Sequence, residues 1–253
     1  MILSIIDESQ RKAAKVAGLA YLITFALVVF VNFGIVDALV VENNAMETAR
    51  NILANEQLFR IGITGNLIYC TGLMVLFTAL YVILKPINQG LALLGTFWRL
   101  VWVLVWLLMT LNLFDALRLI SGGTYLGAFE AERLQALGRF HLAKGIDYYY
   151  VGLLFTALAS TLYSYLWLKS GYIPRTLAVL GIISSAFCVG CTFIFNIFPH
   201  FDQIVNLWWF DMPMAIFDIA LSVWLLFKGL SPSGMAQPDG ASARTQAGAA
   251  KRD

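Results

Sequence analysis

The segment GLALLGTFWRLVWVLVWLLMTLNLFDALRLI, residues 90–120, decides the fold of this chain. Its few charged residues are Arg99, Asp115 and Arg118. A helix needs about 20 apolar residues to cross the hydrocarbon core of a bilayer, so this segment is long enough to cross it and to tilt or protrude. Because the bilayer interior offers no water to backbone N–H and C=O groups, we expect the segment to be helical.

The composition of the whole chain indicates the same environment. Of the 253 residues, 60% are hydrophobic and 13% are charged, and the mean hydropathy is +0.76. Soluble domains typically carry about 25% charged residues, so this chain has too few charges to cover a water-facing surface. Its outer surface is therefore expected to meet lipid. The net charge of +2 is too small to indicate a nucleic-acid partner.

Further apolar runs make the chain polytopic. The runs long enough to span a membrane lie near 16–36, 58–84, 90–120, 142–168, 175–198 and 207–228. The first run is longer than the apolar part of a cleavable signal peptide, about 7–15 residues, so we interpret it as a retained helix. The sequence therefore predicts an all-α, polytopic membrane helix bundle of about six transmembrane helices.

The distribution of Lys and Arg predicts the orientation of the bundle. These cations concentrate in one set of connecting segments, whereas the opposite loops hold fewer cations and several glutamates. The rich set comprises Arg11, Lys12, Lys15, Lys85, Lys169, Arg175, Lys228, Arg244, Lys251 and Arg252. Positively charged loops remain in the cytoplasm, so both ends of the chain are expected there.

The remaining segments complete the predicted organisation. Residues 1–15 are expected to form a cytoplasmic N-terminal segment, 16–229 the six-helix transmembrane domain, and 230–253 a disordered cytoplasmic tail rich in small and polar residues. On the external side, 44–59 and 130–140 have amphipathic spacing. We predict that both form short interfacial helices.

Two charged residues deep within the apolar runs are candidates for a buried ion pair. Arg99 and Asp218 lie at matching depth on the third and sixth spans, counted from the cytoplasmic ends at about 1.5 Å per residue. Charges in membrane helices are costly and usually face protein or water. The pair is interpreted either as a structural clasp between two helices or as part of a gating or proton-coupled mechanism.

A second group of polar residues lies in the predicted outer half. Because both signs of charge occur at similar depth on several helices, we predict a polar cavity that faces outward. The alternative is that some of these side chains only reach toward the interface. The group comprises Arg60, Asn112, Asp115, Arg118, His141, Lys144, Asp147 and Asp211. Asp115 and Asp147 have short side chains, so both are expected to line the cavity.

Several stretches of the chain resemble one bacterial membrane-protein family. They include Lys15-Val-Ala-Gly-Leu-Ala-Tyr-Leu22, Leu80-Tyr81 leading to Lys85-Pro86, Phe97-Trp-Arg99, Lys169-Ser-Gly-Tyr-Ile-Pro-Arg175 and Trp224-Leu-Leu-Phe-Lys-Gly229. The ordered series resembles the family catalogued as domain of unknown function 4386. The resemblance implies a location in the bacterial cytoplasmic (inner) membrane, and it brings no activity with it.

Three functions fit these observations. The first is binding or translocation of a small solute or lipid in the outward-facing cavity. The second is a membrane enzyme that uses the same carboxylates, with His141 or Lys144 as acid–base partner. The third is an accessory subunit whose buried charges only specify helix pairing. Cys188 and Cys191 have the spacing of a redox pair but lie in an apolar run. No metal site and no cofactor are predicted, and the expected partners are membrane lipids and a small-molecule ligand.

Overall fold

The computed structural model describes residues 6–42, 44–122, 127, 129–198, 201, 204–206 and 208–231, and these residues are helical or lie in short connections. A π-helical turn, Asn32–Val36, joins α1 and α2 into one continuous helix. The helices are α1 (Glu8–Val31), α2 (Asp37–Leu39), α3 (Ala45–Ala54), α4 (Glu56–Leu84), α5 (Gln89–Ser121), α6 (Ala131–Ala143), α7 (Gly145–Ser170), α8 (Arg175–Ile197) and α9 (Trp208–Phe227).

The predicted all-α polytopic architecture is confirmed. Within the described residues, six helical spans are long and apolar enough to cross a membrane, and each overlaps one predicted run. The first helix begins at Glu8, earlier than the predicted span, because Asp7 caps it. Short helices α3 and α6 occupy the two segments with amphipathic spacing. The predicted tail lies outside the described residues from 232 onward, as do residues 1–5 of the N-terminal segment.

The helix ends follow local sequence signals. Asp7 Oδ1 accepts a 2.7 Å hydrogen bond from the Gln10 amide, and the Gln10 side chain accepts one from the Asp7 amide, which forms a capping box. Asn88 caps α5 by accepting a bond from the Leu91 amide. Gly171 ends α7 with φ +65°, a left-handed conformation that favours glycine.

The long helices form a ring in chain order. α1 packs against α4, α4 against α5, α5 against α7, α7 against α8 and α8 against α9, and α9 returns to pack against α1. This arrangement places α5 and α9 on opposite sides of the ring. The side chains that face inward from these helices therefore surround a common central space.

One face of the ring carries both ends of the described chain, and we call it the terminal face. The Gln10 side chain donates hydrogen bonds to Ile83 O at 3.0 Å and to Tyr172 Oη at 3.2 Å. The Ser231 amide donates to Tyr172 O at 2.9 Å. These bonds join the start of α1 to the end of α4, the α7–α8 connection and the segment after α9.

The opposite face, which we call the distal face, has a small hydrophobic cluster of its own. Ala49 and Ile52 of α3 and Phe59 of α4 are fully buried there, together with Leu117 and Ile120 of α5. α6 packs against both α3 and α5. The two short helices are thus held against the distal ends of α4 and α5.

Small residues allow close approach between the long helices. A Cβ on Gly95 of α5 would lie 2.4 Å from Cε1 of Tyr163 on α7, closer than any real contact. Tyr163 is 2% exposed, and its hydroxyl lies 2.8 Å from Thr96 Oγ1. Small residues are common at membrane helix interfaces, where van der Waals packing holds the helices together.

Candidate functional site

A cavity of about 700 Å³ lies inside the ring. Its described lining residues come from α1, α2, α4, α5, α6, α7 and α9, and from the turn between α1 and α2. Pockets that hold small molecules have volumes of about 300–1,000 Å³, are mostly apolar and contain a few placed polar groups. This cavity has both properties, because Leu, Val, Met and Trp side chains surround a limited set of polar ones.

Arg99 is the most deeply buried charged residue in the lining. It is 5% exposed and lies ten residues, about 15 Å by the helical rise, from the start of α5 on the terminal face. One terminal nitrogen donates to Ser160 Oγ, and the guanidinium lies 5.2 Å from the centre of the Phe77 ring. Its Nε is buried and has no hydrogen-bond partner among the described residues. The cation is therefore only partly satisfied by the protein.

Two carboxylates on α9 also face the cavity. Asp218 accepts a 3.3 Å hydrogen bond from the Tyr21 hydroxyl of α1, and Asp211 accepts a 2.5 Å bond from the Tyr149 hydroxyl of α7. Each carboxylate has a hydroxyl donor and, among the described residues, no cation within 4.0 Å. A carboxylate can accept about four hydrogen bonds, so both have acceptor capacity left toward the cavity.

The predicted direct ion pair between Arg99 and Asp218 is not formed. The salt bridges among the described residues join neighbouring side chains on single helices or at their starts, such as Lys12 with Glu8 and Arg60 with Glu56. The depth assigned from the sequence does bring Arg99 and Asp218 into the same cavity. They form no ion pair within 4.0 Å because α5 and α9 are not neighbours in the ring, although the two charges remain close enough to interact electrostatically.

At the distal end, α6 and the α1–α4 interface supply amide and imidazole groups. His141 Nδ1 lies 2.9 Å from Asn112 Oδ1, which joins α6 to α5. The Asn32 amide donates to Asn66 Oδ1 at 3.4 Å, which joins the π-helical turn to α4. Arg139 of α6 also lines the cavity, and its buried Nε has no hydrogen-bond partner in the part of the chain that the structure describes.

The structure therefore brings together five of the ten predicted site residues. The lining residues are Arg99, Asn112, His141, Asp211 and Asp218, and the others lie outside the cavity: Arg60, Asp115, Arg118, Lys144 and Asp147. Arg60 pairs with Glu56 at 2.7 Å, and the Lys144 ammonium lies over the rings of Phe140 and Tyr148. Asp115 and Asp147, both expected to line the cavity, are exposed and are not among its described lining residues.

The length of α5 explains the misplacement of Asp115 and Arg118. Its 33 residues extend about 50 Å, well beyond a hydrocarbon core of about 30 Å. Asp115 and Arg118 lie in its last two turns and are exposed. Asp147 is the third residue of α7 and is also exposed, because α7 begins at Gly145. None of the three is buried deep enough to require a polar partner.

Sequence reasoning missed several polar lining residues. Asn32 and Asn66 stand inside apolar runs, and an amide in such a position is itself a signal because it must find a partner in the bundle. Tyr21 and Tyr149 gave no such signal, since a tyrosine in an apolar run is an ordinary packing residue. Arg139 lies in the segment 130–140, which is predicted as an external interfacial helix, and gave no signal of a cavity residue.

The described residues contain no group of three or more His, Cys, Asp or Glu side chains that could hold a metal ion. Cys188 is buried and Cys191 is partly buried, and both are free thiols. Both cysteines belong to α8, which supplies none of the described residues that line the cavity.

The ring of apolar helices around a cavity defines an integral, multi-pass membrane protein. Residues 16–229 match the family model described as a domain of unknown function (DUF4386), and the chain belongs to that family. The match covers all six spanning helices apart from the first turns of α1. Comparison with curated proteins and with solved structures finds no match.

Proposed function

We propose that this protein binds a small solute or lipid in the central cavity, and that it does so in the bacterial cytoplasmic membrane with the terminal face toward the cytoplasm. The observation that carries the proposal is Arg99, a buried cation that lines a cavity of about 700 Å³ and whose Nε finds no hydrogen-bond partner among the residues described. Burying a charge is costly unless it is paired and hydrogen-bonded. A ligand that supplies the missing acceptor would offset that cost.

The arrangement of charges favours a ligand site over a purely structural role. A structural subunit would pair its buried charges, because breaking a buried pair leaves an uncompensated charge. Here Arg99 faces Asp218 across a cavity, and the carboxylates of Asp211 and Asp218 accept bonds from hydroxyls. Groups held apart in this way can each contact a molecule placed between them.

The shape of the cavity favours binding as the basic activity. Its lining extends from Val40 and His141 at the distal end past Arg99 and Asp218 to Ser222 of α9. Toward the terminal face, α1 and α9 approach closely at Gly18. Translocation to the terminal face would require a second state in which this contact opens.

Ligand-induced thermal stabilisation of the purified protein tests the proposal. A panel of lipids and metabolites is screened, and compounds that stabilise the protein are tested again with Arg99→Met and Arg60→Met. Both substitutions remove a guanidinium, but Arg60 is exposed and lies outside the cavity. We expect stabilisation to persist in Arg60→Met and to be lost in Arg99→Met. Equal stabilisation of the two variants would contradict binding at Arg99.

A further inference from the structure

The contact that closes the ring, between α1 and α9, is tightest near the terminal face. A Cβ on Gly18 would lie 2.8 Å from Ser222 O and 2.8 Å from Leu226 N. Both are backbone atoms of α9, so the two helices touch backbone to backbone at this level. Gly18 therefore marks the point where the ring is closed.

Farther toward the distal face, the same side of α1 faces an opening. Leu22, Phe25 and Val29 follow Gly18 at spacings of four, seven and eleven residues, which places all of them on one helical face. These three residues line the cavity, yet Phe25 is 40% exposed and Val29 39%. A lining side chain with this much exposed surface is expected at the mouth of a cavity.

α9 forms the other side of this mouth. Ile219, Ala215 and Met212 precede Ser222 by three, seven and ten residues, which again is one helical face. They line the cavity, and Met212 is 44% exposed. We call this opening the α1–α9 seam, and it is bounded by Leu22, Phe25 and Val29 on α1 and by Met212, Ala215 and Ile219 on α9.

The seam opens toward lipid. In an integral membrane protein the exposed apolar surface of a spanning helix contacts acyl chains, and the side chains at the mouth are apolar. Arg139, His141 and Leu142 of α6 line the distal end of the cavity. A molecule that reaches Arg99 through the seam travels through hydrocarbon, so it must carry an apolar part.

The polar lining defines the head group of such a molecule. The lining holds two guanidinium groups, Arg99 and Arg139, and two carboxylates of α9, Asp211 and Asp218, while Asp37 is exposed at the rim. Guanidinium groups bind phosphate with charge-assisted hydrogen bonds, and a primary ammonium has three N–H donors for carboxylates. A head group that carries both charges satisfies both sets, whereas an anion alone would leave the carboxylates unpaired.

We propose, resting on the function proposed above, that the ligand is a phosphatidylethanolamine-type lipid that enters through the α1–α9 seam. Its phosphate contacts Arg99, its primary ammonium contacts Asp218 or Asp211, and its acyl chains remain between α1 and α9. A quaternary ammonium, as in phosphatidylcholine, has no N–H to donate to the carboxylates. Phosphatidylglycerol has no cation for them.

The head group is tested by thermal stabilisation of the full-length protein in detergent. The probes are dioleoyl phosphatidylethanolamine, the matched phosphatidylcholine and phosphatidylglycerol, and free phosphoethanolamine. We expect the first lipid to stabilise most, with an apparent affinity about tenfold or more weaker in Arg99→Met and unchanged in Arg60→Met, since a hydrogen bond to a charged group is lost. Equal effects of the three lipids would overturn the head-group assignment.

The other outcomes separate this inference from the proposed function. Free phosphoethanolamine that stabilises as well as the lipid, and depends on Arg99, would overturn entry from the bilayer but leave ligand binding at the cavity intact. Stabilisation that is independent of Arg99 with every probe would overturn both proposals.

The route is tested by photo-crosslinking in lipid nanodiscs. A phosphatidylethanolamine with a photoactivatable acyl chain is expected to label peptides that contain Phe25, Val29 or Met212, and Arg99→Met should reduce that labelling. Leu104 of α5 is the matched reference, because it is 59% exposed and does not line the cavity. Labelling near Leu104 should not change in the variant. Seam labelling that is absent, or that is equal in wild type and Arg99→Met, would overturn the route.

Discussion

The contact between α5 and α7 gives the sharpest test of the fold. In Gly95→Ala, the new methyl group would lie 2.4 Å from Tyr163 Cε1 and 2.8 Å from Cδ1, whereas ordinary contacts are 3.4–4 Å. The aromatic ring of Tyr163 must therefore move by about 1 Å. It is 2% exposed, and its hydroxyl is held 2.8 Å from Thr96 Oγ1, so neither end of the side chain is free to shift.

The expected cost follows from these contacts. Overpacking a filled core typically costs about 1–3 kcal/mol, and replacing a helical glycine with alanine returns up to about 1 kcal/mol. We therefore expect Gly95→Ala to lower the free energy of unfolding by about 1–2 kcal/mol. The measurement is reversible unfolding of the purified protein by a denaturing detergent in mixed micelles, followed by tryptophan fluorescence.

Gly190→Ala is the matched control. It changes a glycine inside α8 that is exposed and has nothing within 4 Å of the added methyl group, so it should be neutral or raise stability by up to about 1 kcal/mol. In a Tyr163→Leu background the aromatic ring is absent, and Gly95→Ala should no longer destabilise the protein. A Gly95→Ala protein as stable as wild type would refute the close α5–α7 packing described here.

Two further predictions concern the terminal face and the orientation. Gln10→Ala removes a buried side-chain amide that donates hydrogen bonds to Ile83 O of α4 and to Tyr172 Oη in the α7–α8 connection. In the same assay, the free energy of unfolding should therefore fall by about 1–3 kcal/mol. Lys12→Ala, which breaks an exposed ion pair, should not change stability measurably. With the native cysteines replaced, an impermeant thiol reagent added to intact cells should label Glu132→Cys and leave Arg175→Cys unlabelled. The reverse labelling pattern would invert the proposed orientation.

The helices were predictable because their signal is local. An apolar run such as 90–120 must be helical in lipid whatever surrounds it. Glu8 was missed as the start of α1, since the sequence-based estimate followed hydropathy and the helix follows the Asp7 cap. The ring order was not predictable, because short loops between helices fix which neighbours are antiparallel but not which side each helix turns inward.

Half of the site was predictable for a similar reason. Depth along a helix follows from the 1.5 Å rise, and Arg99 and Asp218, which the sequence places at one depth, line the same cavity. The direction of a side chain around the helix axis depends on tertiary packing, so the separation of these two residues across the cavity could not be deduced. Asp115 was misplaced because α5 is longer than the bilayer is thick. The depth of a residue in such a helix cannot be counted until it is known which end extends beyond the membrane.

The ring has one more consequence, for the order of the chain itself. Every helix of the ring packs against the next in sequence, and α9 packs against α1, so the arrangement has no obligatory first helix. The two ends of the helical domain both contact Tyr172: Gln10 bonds its hydroxyl, and the Ser231 amide bonds its carbonyl oxygen. A short linker between these ends, with new termini cut at Lys85 on the same face, should give a circular permutant that keeps the same helix contacts.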